Sequence, residues 1–332
     1  MKLVIATPLY PPQVGGPAAY TKMLGEEWSR RGIEVRIVAY SALERALPTG
    51  IRHLVYLIRL APAMVGAHAI LALDTWSVGL PALIAARLAK KRFVVRVGGD
   101  SLWESYVGRT HELIRLSDFY LVPRRLSFKE RLMRAGTRAI VRYPETRLAF
   151  NSTWQRDLWV IGYGISVEKT CVIENFFPGE RASSLTKKRT FVAAGRDHPL
   201  KQAALLASVF DTIRDDHYDI ELDTRALPPA EHRARIRDCY AVIISSISEV
   251  NSNTAIDAIA YGKPFILPVD SGGRAREAGI LVDTRDPVAL ASAIRRLLDP
   301  SAYEALRARV RAFSYTHPWE AVAREFLEVL SP

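Results

Sequence analysis

Short apolar runs alternate along the chain with longer amphipathic stretches. Residues 2–7 read as a strand, 18–31 as an amphipathic helix after a Pro/Gly loop, and 34–40 as a second strand. This is a βαβ unit whose first loop lies where open parallel sheets bind ligands, at the carboxyl end of a strand. Further strands are predicted at 69–73, 93–97, 120–122, 148–151 and 170–173, with helical material between them. The stretch Phe177-Pro178-Gly179-Glu180-Arg181-Ala182-Ser183-Ser184 interrupts the alternation and reads as a linker. A second alternation follows: strand 190–194, helix 203–213, strand 241–245, helix 253–261, strand 264–268, then helices 287–298 and 303–313. A last helix, 319–330, comes after His317-Pro318. The pattern predicts an α/β protein of two Rossmann-like, doubly wound domains facing across a cleft. The expected division is a first domain over 1–177, a linker over 178–189 and a second domain over 190–314. Residues 315–332 would then hold a helix that packs back on the first domain.

Length and composition agree with that picture. At 332 residues, 49% hydrophobic and 24% charged, the chain is long enough for two cores and excludes disorder, collagen and a disulfide scaffold. The two cysteines, Cys171 and Cys239, have neither CxxC spacing nor a nucleophile's setting and point to a reducing compartment. The apolar stretch 54–73 is broken by Arg59, Pro62, Gly66 and His68, so no spanning segment is expected. Residues 1–8 read as a buried strand and not as a leader. The expected location is the cytoplasm or the inner face of a membrane. The formal charge of +11 changes the picture most, because it calls for an anionic partner: a nucleotide, a membrane surface or nucleic acid.

Three local patterns carry candidate chemistry. In Ser245 to Pro264 a strand delivers its end to a polar loop with Glu249, and Ser252 or Asn253 caps the next helix. The N–H groups of Asn253, Thr254 and Ala255 are then placed for phosphate or sugar hydroxyls, with Asp257 one turn further on. Alone, this is also the pattern of a well-capped helix with two solvated acids. Gly195-Arg196-Asp197-His198-Pro199-Leu200-Lys201 follows an apolar strand, and its Arg and Lys can clamp a diphosphate as a planar fork and a point charge. Gly15 and Gly16, in Tyr10 to Pro17, permit close backbone approach to a ligand, but GxGxxG is absent and a dinucleotide fingerprint fails.

The order and spacing of these patterns resemble the retaining glycosyltransferases of family 4, which have the GT-B fold. Pro11 to Gly16 resembles that family's N-terminal glycine loop, and Gly195, Arg196 and Lys201 its G-R-x4-K clamp. Ser248, Glu249, Asn253, Asp257, Ala258, Ala260, Gly262 and Pro264 stand at matching positions of its E-x7-E motif. The resemblance implies a nucleotide diphosphate sugar as donor substrate and a glycan, glycolipid or lipid-linked acceptor. It implies that Arg196, Lys201 and Glu249 are catalytic: the first two neutralise the diphosphate and Glu249 meets the transferred sugar. Gly15, Gly16, Ser252, Asn253, Thr254 and Asp257 would bind the donor, Asp257 through the ribose hydroxyls. No metal or other cofactor is expected, since charge stabilisation by Arg and Lys carries the reaction. The chain departs from the pattern in having Asp257 for a glutamate and Gly98 where many relatives carry a histidine. Asp74 stands near the place of a second histidine, and no glycine-rich strand end follows residues 218–222 to frame a base.

From Arg124 to Arg147 the chain carries eight basic residues against Glu130 and Glu145. At 100° per residue Arg124, Arg131, Arg134, Arg138 and Arg142 share one side, and Leu126, Met133 and Ile140 another. The segment reads either as a solvated helix face or as a contact to an anionic membrane surface. Aromatics do not interleave with it and no nucleic-acid-binding motif is present, so no nucleic acid is expected. The rival readings are a non-catalytic polyanion-binding protein, a degenerate GT-B member, and a GT-B epimerase or phosphorylase.

Overall fold

The structure is a computed structural model that describes the chain except for Val14, residues 185–187, residues 194–197, His217 and Pro332. The chain forms two compact units. The first comprises Met1–Leu102, Arg125–Glu174 and Pro318–Pro332, and the second Trp103–Arg124 and Asn175–His317.

The first unit is built on a six-stranded parallel sheet of β1 (Lys2–Thr7), β2 (Glu34–Ala39), β3 (Ala69–Ala72), β4 (Arg92–Val97), β5 (Thr146–Phe150) and β6 (Thr170–Val172), in the order β2-β1-β3-β4-β5-β6. Its central strands are apolar on both faces because helices cover both. Val4, Ala6, Ile70, Phe93, Val95 and Leu148 face one side, packed under the helices Thr49–Leu60, Gly79–Ala89 and Phe128–Arg142. Leu3, Ile5, Leu71, Val94 and Ala149 face the other. There Tyr20, Leu24 and Trp28 of the helix Gly16–Arg30 meet Val322, Ala323 and Phe326 of the helix Trp319–Leu330. Trp28 is fully buried and its Nε1 donates to the Ala323 carbonyl at 2.9 Å, which fixes the C-terminal helix on this unit. Burying such a ring contributes about 3 kcal/mol.

The second unit has a five-stranded parallel sheet of β7 (Thr190–Ala193), β8 (Glu221–Asp223), β9 (Ala241–Ile243), β10 (Phe265–Pro268) and β11 (Ile280–Val282), in the order β11-β10-β9-β7-β8. The same alternation sorts its core: Phe191, Ala241, Ile243 and Ile266 face the helices Ala203–Asp215 and Pro287–Leu298. Val192, Val242, Phe265 and Leu267 face the helix Asn253–Ala260. In each sheet the strand order reverses beside its first strand, the position at which open α/β sheets hold ligands.

Two sequence expectations change. Residues 120–122 form a turn after the short helix Leu116–Phe119, because Leu121 and Val122 are 65% and 55% exposed and have no neighbouring strand. The basic helix runs only over Phe128–Arg142, opened by a Ser127/Glu130 capping box, so Arg124, Leu126 and Arg147 lie outside it. Arg124 belongs to the second unit and pairs with Glu112 at 2.9 Å. Among the described residues no helix is long and apolar enough to cross a membrane.

Candidate functional site

The carboxyl ends of β7 and β9 bring together the polar residues of the second unit. Arg196 and Gly195 fall outside the described residues. After them His198 opens a single 3-10 turn, Pro199–Lys201, by accepting the Leu200 N–H on Nδ1. Gln202 then takes a left-handed conformation, φ 49°, and its side chain secures the turn by donating to the Ser245 carbonyl at 2.7 Å and to Thr284. Ser245 Oγ donates back to the Lys201 carbonyl at 2.6 Å. The turn is thereby fastened to the end of β9 from both sides.

This fastening aims Lys201 at the loop after β9. Its Nζ donates to Ser246 Oγ at 2.7 Å and to Glu249 Oε1 at 2.6 Å, and Ser246 Oγ donates to the same oxygen at 2.6 Å. Both charged side chains are about one-sixth exposed (15% and 17%), dry enough for a strong interaction yet open on one side. The Glu249 backbone is held as well, bonded through its N–H to the Asp270 carbonyl and through its carbonyl to the Gly272 N–H. Ser248 Oγ donates to Asp270 at 2.5 Å and accepts the Leu116 N–H at 2.9 Å. Residues 103–124, which come early in the chain, thus serve as a prop for this loop. Arg115 and Arg285 join the same support by gripping Asp283, whose carboxyl is held down at about 2, chiefly by hydrogen bonds from Arg285 and then by Arg115.

Ser252 caps the helix Asn253–Ala260 through the Ala255 N–H. That bond removes Ala255 from the expected set of open donors, and the N–H groups of Asn253 and Thr254 have no partner among the described residues. The Asn253 side chain accepts from Asn175 at 3.1 Å. Asp257 sits half-buried one turn inside, and its carboxylate makes no hydrogen bond among the described residues. Burial pushes its carboxyl up to about 6 against the downward pull of Arg233 and Arg181.

The first unit arranges its strand ends differently. Gly15 precedes the helix Gly16–Arg30, and a Cβ there would come 2.7 Å from Leu9 Cδ1, while Gly16 has open space around it. Asp74 accepts the N–H groups of Val78 and Gly79, serving the start of the helix Gly79–Ala89, and burial raises its pKa. Asp100 accepts from Trp159 Nε1 at 2.9 Å. The place where a side chain at Gly98 would stand is taken: a Cβ there would lie 2.2 Å from a guanidinium nitrogen of Arg96, which itself stacks 3.7 Å over the Tyr20 ring. Sequence reasoning missed Arg96, Gln202 and Ser246. Arg96 had a signal, a lone charge inside the apolar run Phe93-Val94-Val95-Arg96-Val97.

No known family profile matches the chain. In sequence it is 30% identical over 113 residues to the D-inositol 3-phosphate glycosyltransferase of Nocardioides sp. (strain ATCC BAA-499 / JS614), a stretch covering 32% of this chain and 25% of that protein. The chain therefore matches about a quarter of the length of this curated relative. In structure it is similar to the sucrose-phosphate synthase (tll1590) from Thermosynechococcus elongatus, with a TM-score of 0.70, 14% identity, and coverage of 99% of this chain and 98% of that one. The chain has the GT-B fold. WaaG, a glycosyltransferase involved in lipopolysaccharide biosynthesis, is similar at a TM-score of 0.69 with 11% identity, covering 99% of both chains.

Proposed function

We propose that this GT-B protein is a retaining glycosyltransferase of the family 4 type, which moves a sugar from a nucleotide diphosphate donor to a glycan, glycolipid or lipid-linked acceptor. The observation that carries the reading is the fastened Lys201–Ser246–Glu249 cluster beside two open N–H groups of a helix N-terminus. A diphosphate offers Lys201 a stronger partner than Glu249 and takes the helix N–H donors at the same time. Glu249, released, turns to the sugar. Arg196 supplies the second cation, Gly15, Gly16 and Ser252 shape the donor's surroundings, and Asp257 accepts the ribose hydroxyls. The anomeric C–O bond to the diphosphate breaks as the acceptor oxygen bonds on the same face. The acceptor's proton passes to the leaving phosphate, whose charge Lys201 and Arg196 hold without a metal. The assay is release of nucleoside diphosphate from UDP-, GDP- and ADP-sugars, with the product's anomeric configuration read by NMR. Retention supports the reading, inversion contradicts it, and nucleotide binding without any turnover marks a degenerate member.

We further propose that the protein works on the anionic surface of the inner membrane face, as one making cell-surface polysaccharide or glycolipid would. The helices Thr49–Leu60, Gly79–Ala89 and Phe128–Arg142 cover one face of the first sheet and expose Leu54, Ile58, Leu88 and Phe128 at 59% to 78%. Across all three the single acidic residue is Glu130, which is buried in its capping box, whereas Arg87, Lys129, Arg131, Arg138 and Arg142 are exposed, and Arg59 is paired with the buried Glu44. Exposed apolar side chains among these cations suit an anionic lipid interface. Sedimentation with phosphatidylglycerol vesicles should exceed that with phosphatidylcholine, and Arg131, Arg138 and Arg142 changed to glutamine should abolish the difference. Equal binding to both vesicles would refute it.

A further inference from the structure

A pocket of about 260 Å³ opens in the second unit at the opposite end of the helix Asn253–Ala260 from the Lys201–Glu249 cluster. Eight residues of helix, about 12 Å, separate the two places. Gly262, at φ 59°, ends that helix, and Lys263 turns inward to line the pocket. Lys263 is only 4% exposed. Its Nζ donates to the carbonyls of Ser184 at 2.7 Å and Cys239 at 2.8 Å, and no carboxylate lies within 4.0 Å among the described residues. Two carbonyl dipoles leave the third ammonium proton unused and the charge uncompensated, an arrangement costly in a protein interior.

The other walls add positive charge. Arg189 lines the pocket, and its guanidinium makes no hydrogen bond or ion pair among the described residues. Arg307 lines it too and touches one carboxylate, Glu304, at 3.3 Å. Neighbouring groups that look like possible counterions are not available. Burial pushes the Cys239 thiol up to about 12, so it stays neutral, and Asp238 is committed to Arg237 and Ser184. Along one side Tyr240 and Tyr303 stack at 4.3 Å and 17°, both hydroxyls tied to backbone carbonyls. That pair is a rigid flat wall.

We propose that this pocket binds a phosphate monoester, its dianion seated between Lys263, Arg189 and Arg307 and the group it carries lying against the Tyr240–Tyr303 wall. Three cations against one carboxylate match a dianion, and the volume admits a phosphorylated small molecule. The site is separate from the proposed donor site and does not depend on it. The competing account makes Lys263 a strut that ties residue 184 to the body, with no ligand.

Isothermal titration of the full chain, at ionic strength fixed with chloride, tests this with inorganic phosphate and with glucose 6-phosphate as probes. One saturable site is expected, weakened at least about fivefold by Arg189→Gln and more by Lys263→Met. Lys201→Ala should leave it unchanged. Tighter binding of glucose 6-phosphate would assign an organic monoester as the occupant, and equal binding would assign free phosphate. If Lys263→Met fails to fold, Arg189→Gln still decides, because its guanidinium holds no partner among the described residues. The proposal is overturned if neither anion gives a saturable signal, if Arg189→Gln binds as the wild type does, or if binding disappears in Lys201→Ala.

Discussion

The two units share an architecture and differ in what their strands deliver at the carboxyl ends. In the first, the polar side chains are absorbed by the fold: Asp74 serves a helix start, Asp100 holds Trp159, and Arg96 fills the space beside Gly98 and stacks on Tyr20. In the second, the fold's own hydrogen bonds act on a neighbouring pair and hold it ready. Gln202 and Ser245 fix the turn, Ser248 and Asp270 fix the loop, and Lys201 and Glu249 are brought into a charged contact at 2.6 Å that is open on one side. Polar residues at a strand end are thus no sign of chemistry by themselves. A held pair that a ligand can separate is a better one.

Substitution should separate the units by readout. The largest effect is expected at the held pair: Glu249→Gln or Lys201→Ala should lower kcat/KM for the nucleotide sugar by roughly 10²–10³. Their thermal midpoints should move only a few degrees, which differential scanning calorimetry checks. Next comes Asp257. With its carboxyl at about 6 in the fold, against an unfolded value near 4, the native state holds the extra proton between those values. Stability from this group is therefore greatest at low pH and falls as pH rises through about 4 to 6. Asp257→Asn should remove that slope and raise stability at pH 8 by about 2 kcal/mol in urea unfolding, while weakening nucleotide binding. The smallest effect lies in the first unit, where Asp74→Ala should cost about 1 kcal/mol of stability through the lost helix-start contacts. The KM for the donor should not change. A Lys201→Ala protein that keeps turnover, or an Asp74→Ala protein that loses donor affinity at full stability, would break the distinction between the units.

Much of this was legible in the chain because buried parallel strands are apolar on both faces and stand out from the amphipathic helices between them. Both alternations, a cap at Ser252 or Asn253 and the helix end at Gly262 are read from such signals. The helix Pro229–Asp238 is not, since it buries only Ile236 and therefore has no apolar stripe to find. The edge strand β11 is three residues long and offers too little pattern. Residues 120–122 misled in the opposite sense: an aromatic and two aliphatic side chains look like a strand, yet two of the three are exposed in a turn. At the site, residue types in order gave Lys201, Glu249 and the helix start. The supports Gln202, Ser246 and Asp270 join through bonds spanning up to 82 residues, which local spacing does not encode. The assignment of residues 103–124 to the second unit is of the same kind.

The central claim is that the second unit holds a nucleotide diphosphate on Lys201, Arg196 and the start of the helix Asn253–Ala260. Thermal shift with UDP, GDP and ADP, repeated on Arg196→Ala and Lys201→Ala, tests it most directly. The account predicts that one nucleotide raises the midpoint of the wild type and that each substitution removes most of the rise. No shift with any of the three, or a shift that survives both substitutions, would contradict it.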